Sequence, residues 1–218
     1  MDLIKQIARL LWVNVLWLIS SIPLFTLGAA TCAAFAVTLR LADDDEEVQS
    51  FGGIARRFFK AFKQDLLQGF LLEVVTLAGL GLGGLFVYLA WDSDLTLVKI
   101  VLLVVYFLVL FVVLFYAYPL VARYTNTFAN TLKNSIALFA QYPNSSVKTL
   151  GLVILETAVL ALSYKIYCAG LIILPAVIFY TISRTAKDIF FKLENPEAIE
   201  DSEPAENQDI SENTDSSE

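Results

Sequence analysis

The chain has 218 residues, of which 57% are apolar and 17% are charged, and its mean hydropathy is +0.67. A soluble domain has about a quarter charged residues, so this composition predicts an integral membrane protein with room for one helical bundle. The sequence has no histidine and two cysteines, which excludes zinc and haem sites built on histidine or clustered cysteine, and we expect no cofactor.

The net charge of −7 arises at the C-terminal end of the chain. Residues 194–218 contain ten acidic and no basic residues, whereas residues 1–193 contain 12 acidic and 15 basic residues and have a net charge of +3. The acidic segment has few large apolar side chains, so it cannot bury enough surface to offset the entropy of ordering. We therefore expect a transmembrane helical bundle over residues 1–193 and a disordered acidic tail over residues 194–218.

The first apolar segment, WVNVLWLISSIPLFTLGAATCAAFAVTL, runs from Trp12 to Leu39 without a charge. As one helix it would be about 42 Å long, whereas the hydrocarbon core of a bilayer is about 30 Å thick. Pro23 removes a backbone donor and disfavours helical dihedrals at the residue before it, and Thr26 is a candidate N-cap for a helix that begins at Leu27. We therefore expect a helical hairpin; a kinked single span and a partial re-entrant loop are the alternatives.

Four further apolar runs follow, at 66–90, 97–122, 147–164 and 168–183. Together with the first segment they predict an all-α fold, a polytopic transmembrane helical bundle with five or six membrane segments. The long connections are basic, so by the positive-inside rule they face the cytoplasm, as does the C-terminus. With the hairpin, 13 basic residues lie inside and 2 outside; with a single span, 11 lie inside and 4 outside.

Two of the cytoplasmic connections contain amphipathic helices of their own. In FGGIARRFFKAFKQD the apolar residues recur every four positions and the basic residues take the other side, a pattern typical of a helix in the lipid headgroup layer. The candidate membrane-surface residues are Arg56, Arg57, Phe58, Lys60, Phe62 and Lys63; docking to a cytoplasmic partner is the alternative. In TNTFANTLKNSIALFAQYP the polar side is mostly Asn and Thr, which favours packing against the bundle.

The opening segment resembles the signature of the YesL-like family of bacterial membrane proteins, a family of unknown function. The matching positions are Asn14, Pro23, Thr26, Gly28, Ala29, Ala30 and Ala34. The stretches RRFFKAFKQDLLQGF and YPLVARYTNTFANTLKNSIALF also fit, and LPAVIFYTISRTAKDIFFKL fits more loosely. The resemblance implies a polytopic protein of the bacterial cytoplasmic membrane that accompanies carbohydrate-uptake systems, including ABC transporters. It carries over no catalytic or binding residue.

Ionisable side chains within membrane segments are candidate functional groups, because placing them in hydrocarbon is costly. Glu73 and Glu156 each lie eight residues beyond a charged residue at the cytoplasmic end, Asp65 and Lys148 respectively, which places them about 12 Å into their helices. We hypothesise that the two carboxylates line one polar cavity together with Asn14. In the alternative, each is a structural contact, protonated or hydrogen-bonded to a nearby polar group.

Small residues form candidate helix-packing faces, because they let helix backbones approach closely in lipid. These residues are Gly28 and Ala29 in the first segment and the GxxxG pair Gly79 and Gly83 in the second. Packing within the chain is one interpretation; a homo-oligomer or contact with a partner's helix is the other.

These features favour a non-enzymatic accessory or scaffold protein associated with carbohydrate uptake, because no histidine and no cluster of polar groups marks a catalytic centre. The expected partners are the lipid bilayer, ABC transporter subunits and a second copy of the chain, and not nucleic acid. The alternative is a small secondary transporter or permease that uses Glu73 and Glu156.

Overall fold

A computed structural model describes residues 2–90, 96–162 and 167–195, and the regular structure in these ranges is all helical. The α-helices are α1 (Asp2–Ser20), α2 (Leu27–Ala42), α3 (Phe51–Gln64), α4 (Leu66–Ala90), α5 (Thr96–Phe115), α6 (Ala117–Arg123), α7 (Phe128–Gln141), α8 (Pro143–Leu162) and α9 (Tyr167–Glu194). Two 3₁₀ helices, Leu24–Thr26 and Glu46–Val48, join the first three. The all-α expectation is confirmed over these ranges; the predicted disordered tail lies outside them from residue 196 onward.

The opening segment is broken into two helices that fold back on each other. The indole Nε1 of Trp17 in α1 donates to the hydroxyl of Thr31 in α2 at 3.1 Å. Farther from the turn, the guanidinium of Arg9 donates to the carbonyl of Gln49, which lies beyond the end of α2. The two arms are therefore antiparallel, and the chain turns at Pro23, where the sequence predicts the break.

Helix α2 is the centre of the molecule. Twelve of its 16 residues are buried, because α1, α3, α4, α6 and α9 all pack around it. Contacts along α2 from its beginning to its end are Gly28 with Gly69, Phe35 with Phe179, and Thr38 with Ser183. Helix α9 therefore runs in the same direction as α2. The chain from α3 into α4 runs in the opposite direction, because Gly53 of α3 lies against Glu47, beyond the end of α2, and Gly69 of α4 lies at its beginning.

The apolar runs and the helices agree most closely at α4, which covers residues 66–90 as predicted. The predicted run 97–122 is instead divided between α5 and α6. Pro119 is the reason: it has no N–H to donate to the carbonyl of Phe115, four residues earlier, and the helix is interrupted at Tyr116. Helix α8 begins four residues before its apolar run, with the polar stretch PNSS. Helix α9 extends well beyond its apolar run, because it continues as an amphipathic helix with charged residues up to Glu194.

Among the described residues, two helical segments are long and apolar enough to cross a membrane, Leu24–Ala42 and Leu66–Leu89. They differ in exposure. The first is mostly buried inside the protein, whereas most of the second is exposed; Leu82 and Leu89 are 62% and 72% exposed. Helix α2 is apolar because it is buried inside the protein. Helix α4 is also apolar but mostly exposed, so burial within the protein does not explain its hydropathy. Five or six membrane segments therefore stay a prediction.

Candidate functional site

Two helix backbones approach each other closely where α2 and α4 begin. A Cβ atom built on Gly28 would lie 2.0 Å from the carbonyl oxygen of Gly69, and one built on Gly69 would lie 2.5 Å from the Cα of Ala29. Only glycine fits on both sides of such a crossing. Two of the predicted helix-packing residues, Gly28 and Ala29, therefore pack within the chain, against a glycine that the sequence analysis did not single out.

This crossing brings the carboxylate of Glu73 to the beginning of α2. Glu73 is 4% exposed, and its Oε2 accepts a hydrogen bond from the backbone N–H of Gly28 at 3.0 Å. Thr26 occupies the predicted N-cap position, but its hydroxyl caps no helix N–H and instead donates to the carbonyls of Ser20 and Pro23. The first turn of a helix has unpaired N–H groups and a partial positive charge. Glu73 is thus the cap of α2, supplied from 45 residues away.

The second candidate carboxylate, Glu156, lies in a different helix pair. Its Oε1 accepts a hydrogen bond from the hydroxyl of Thr181 in α9 at 2.7 Å, and its Oε2 is also enclosed. Helix α8 begins at Pro143 rather than near Lys148, so the equal depth that suggested pairing with Glu73 does not follow from the helix bounds. In the described residues no hydrogen bond joins the two carboxylates, and a shared cavity stays a prediction.

Asn14, the third residue of that hypothesis, is fully buried in α1. An apolar cavity with a volume of about 470 Å³ lies between α2, α4, α5, α6 and α9. Its polar lining groups are engaged: Thr31 pairs with Trp17, and the hydroxyls of Thr76 and Tyr118 pair with each other at 3.1 Å. Asn14, Glu73 and Glu156 are not among the residues that line it.

The GxxxG pair lies on the side of α4 that faces α5. A Cβ atom on Gly79 would lie 2.6 Å from Cδ1 of Leu110, and Gly83 is also buried. By contrast, Gly81 and Gly84 face open space. The contact that the structure shows at Gly79 is therefore packing within the chain.

The basic amphipathic segment forms α3, with Ser50 as its N-cap. Its apolar stripe packs on the protein itself: Ile54 and Phe58 are fully buried, mainly against α2. Of the six predicted membrane-surface residues, Arg56, Lys60 and Lys63 are exposed, Arg57 and Phe62 are half-buried, and Phe58 is in the core. The ring of Phe58 therefore does not contact lipid; a membrane role for the exposed basic side stays a prediction.

A network of ion pairs, which we call the charged end, lies at the end of α2 away from Glu73. Asp43 forms ion pairs with Arg123 at 3.6 Å and with Lys187 at 3.5 Å. Arg123 also pairs with Glu194 at 2.8 Å, and this hydrogen bond lowers the pKa of that carboxyl. Arg40 pairs with Asp45 and Glu47. Exposed pairs of this kind contribute at most about 1 kcal/mol each to stability. The charged end therefore adds little stability, and its charged side chains indicate that this end of the protein contacts water.

A polar cavity of about 280 Å³ opens in the charged end. Its charged lining residues are Arg40, Asp43, Asp45, Arg57 and Arg123. Both signs of charge line this cavity, with three arginines and two aspartates. Over the residues that the structure describes, no group of three acidic or cysteine side chains is placed to hold a metal ion.

A family model described as a protein of unknown function, DUF624, matches residues 10–88. The match covers most of α1, all of α2 and α3, and nearly all of α4, and so includes the crossing of Gly28, Gly69 and Glu73. No curated protein and no solved structure matches the chain.

Proposed function

We propose that this chain is a non-enzymatic integral protein of the bacterial cytoplasmic membrane, and that α4, α5, α8 and α9 cross the bilayer. The observation that supports this proposal most strongly is the exposed apolar surface of α4. Helix α5 packs against α4 and extends this surface, and α8 exposes further apolar side chains. We call these residues together the apolar belt: Leu77, Leu80, Leu82, Leu85 and Leu89 of α4, Leu97, Ile100, Val101 and Val104 of α5, and Leu152, Leu155 and Val159 of α8. An exposed apolar surface of this extent requires lipid or protein to cover it.

The charged end supplies the orientation. Arg57 of α3 lines the polar cavity of the charged end, and α3 exposes further basic side chains. The ion pairs of Arg40, Arg123 and Lys187 are part of the charged end. Lysine and arginine concentrate on the cytoplasmic side of membrane proteins. We therefore place the charged end and the C-terminus in the cytoplasm.

A lysine in the apolar belt tests the membrane insertion. Leu77 is 54% exposed in the middle of α4, and Phe191 is 57% exposed in the last turns of α9 near the charged end. A lysine at the centre of a membrane helix costs about 2.5–3.5 kcal/mol in insertion free energy, whereas one in water costs little. We expect Leu77→Lys to lower the fraction of the protein that resists alkaline carbonate extraction, and Phe191→Lys to leave it unchanged. Equal fractions for both variants, or a parent chain that is extracted without detergent, would contradict the proposal.

We further propose that the protein acts as an accessory component of carbohydrate uptake. The support is the resemblance of its opening segment and two helices near the charged end that expose side chains. These are α3, whose Arg57 lines the polar cavity, and α7, whose Gln141 lines a pocket together with Glu194. Affinity purification of the full chain from its native membrane in mild detergent, followed by mass spectrometry, tests this role. We expect subunits of a carbohydrate ABC transporter to be enriched over a control purification of an unrelated membrane protein. Their absence at equal recovery would refute the accessory role and leave the membrane insertion standing.

Transport by the chain itself is the alternative, and the geometry favours it less. It needs Glu73 and Glu156 at one solute path, whereas Glu73 is engaged by Gly28 and Glu156 by Thr181. Reconstituted vesicles would decide between the two roles. Solute or proton uptake that Glu156→Gln abolishes would establish transport and overturn the accessory role.

A further inference from the structure

We infer that α1 and α2 form a re-entrant hairpin, which enters the membrane from the cytoplasmic side, turns within the hydrocarbon and returns to the same side. Its tip, Ile19 to Phe25, then contacts the acyl chains of the cytoplasmic leaflet. The inference rests on the proposed insertion of α4. It differs from the hairpin favoured by the sequence, which crosses the bilayer twice.

The depth of the tip follows from its contact with α4. Gly28, the second residue of α2, lies against Gly69 and Glu73, the fourth and eighth residues of α4. From Glu73, α4 continues for another 17 residues to Ala90, which is about 25 Å at 1.5 Å per residue. If α4 crosses a hydrocarbon core of about 30 Å, the tip lies in the cytoplasmic third of that core.

Two other helices also extend well beyond the tip. Leu110 of α5 lies against Gly79 of α4, and α5 begins 14 residues earlier, at Thr96. Phe179 of α9 contacts Trp17 in the hairpin, and α9 begins 12 residues earlier, at Tyr167. Each of these distances is about 18–21 Å of helix. The hairpin is thus too short to reach the level at which its neighbours end.

The side chains at the tip suit hydrocarbon. Ile22 and Leu24 are each 77% exposed, Phe25 is 65% exposed and Ile19 is 58% exposed. No charged residue lies between Arg9 and Arg40. The exposed tip is at the level where the apolar belt of α4 begins, so the two surfaces continue each other and the same lipid chains would cover both.

The polar groups of the turn are also arranged for a dry environment. An unpaired backbone group in hydrocarbon costs several kcal/mol. Here the Thr26 hydroxyl donates to the carbonyls of Ser20 and Pro23, Pro23 has no N–H, and Glu73 accepts from the N–H of Gly28. A turn in water would have no need of a carboxylate brought from another helix to the beginning of α2.

Single cysteines test the inference by their access to reagents. In a full chain with Cys32 and Cys168 replaced by alanine, Leu24→Cys reports on the tip. Glu46→Cys, an exposed position beside the charged end, and Leu97→Cys, at the beginning of α5, report on the two sides. A membrane-impermeant maleimide is applied to spheroplasts and to inside-out vesicles. We expect at least tenfold slower labelling of Leu24→Cys than of the two reporters from either side.

A second measurement does not depend on slow labelling. A bimane attached at Leu24→Cys, or at Ile22→Cys should the first variant misfold, is reconstituted into phosphatidylethanolamine–phosphatidylglycerol vesicles that contain nitroxide-labelled phosphatidylcholine. We expect quenching by acyl-chain nitroxides and little quenching by a water-soluble nitroxide. Labelling of Leu24→Cys from the outer side would show a crossing hairpin, and labelling from the cytoplasmic side would show a tip in water; either overturns the inference while the membrane insertion stands. Labelling of both reporters, Glu46→Cys and Leu97→Cys, from the same side of the membrane would overturn the proposed crossing of α4, and the inference with it.

Discussion

Replacement of Gly28 by alanine tests the crossing on which the position of the hairpin depends. The new Cβ atom would lie 2.0 Å from the oxygen and 2.7 Å from the carbon of the Gly69 carbonyl. Separations below 3.0 Å essentially never occur for a real Cβ atom, and the obstacle is backbone, which has no rotamer to change. The beginnings of α2 and α4 would therefore have to separate by about 1 Å.

The cost of this separation has two parts. Inserting a methyl group into a packed core costs about 1–3 kcal/mol. The same movement stretches the 3.0 Å hydrogen bond between the Gly28 N–H and Glu73 beyond useful length, and a hydrogen bond to a charged group contributes about 1.5–3 kcal/mol. We expect Gly28→Ala to lower the free energy of unfolding by about 3–5 kcal/mol. For a chain of roughly 200 residues, at about 2–4 °C per kcal/mol, the melting temperature falls by the order of 10 °C.

Thermal unfolding in mild detergent, followed by tryptophan fluorescence, measures this change. Gly81→Ala is the matched control, because a Cβ atom there meets nothing within 4 Å and alanine is the better helix former by about 1 kcal/mol. Gly79→Ala should fall between the two, since its obstacle is the flexible end of Leu110. If Gly28→Ala melts within 2 °C of Gly81→Ala, a margin set by about 0.5–1 kcal/mol, the close approach of α2 and α4 is wrong.

Two further predictions concern titration and buried hydroxyls. Burial raises the pKa of Asp65 from 3.8 to about 6, although Arg57 opposes the shift. Between these two pH values the folded protein therefore binds more protons than the unfolded chain does. Its free energy of unfolding falls as the pH rises from about 4 to above 6. Asp65→Asn should flatten this part of the stability profile, measured by melting temperature against pH, and an unchanged slope would show that Asp65 is not its source. Thr38→Val removes the 2.7 Å hydrogen bond to Ser183, which joins two fully buried hydroxyls, and should lower the free energy of unfolding by about 1–3 kcal/mol. The control Thr157→Val, at an exposed site, should lower it by less than about 0.5 kcal/mol. Equal losses of stability in thermal unfolding would argue against the buried pair.

The sequence was sufficient for those features that depend on local chemistry. The bounds of α4 follow from a long, predominantly apolar run, and the break at Pro23 follows from its missing donor and its effect on the preceding residue. The predicted start of α2 at Leu27 is confirmed. Hydropathy and helical periodicity are properties of neighbouring residues, so they can be recognised without knowledge of the fold.

The partners of each helix face required the tertiary structure. The stripe of Ile54 and Phe58 in α3 has the same periodicity whether it faces lipid or protein, and only the packing shows that both side chains are buried on α2. Gly69 stands in LLQGF with no other glycine at helical spacing, so its role is visible only where Gly28 meets it.

The role of Glu73 is the clearest example of a feature that the sequence alone could not predict. A carboxylate in an apolar run indicates a polar role, but not whether it binds a solute or caps a helix. Its partner lies 45 residues earlier and reaches it only because α3 returns the chain along α2 before α4 begins. Residue composition and periodicity determined which segments are helical and apolar; the directions in which those helices run, and the depth at which they meet, were decided by packing between residues far apart in the chain.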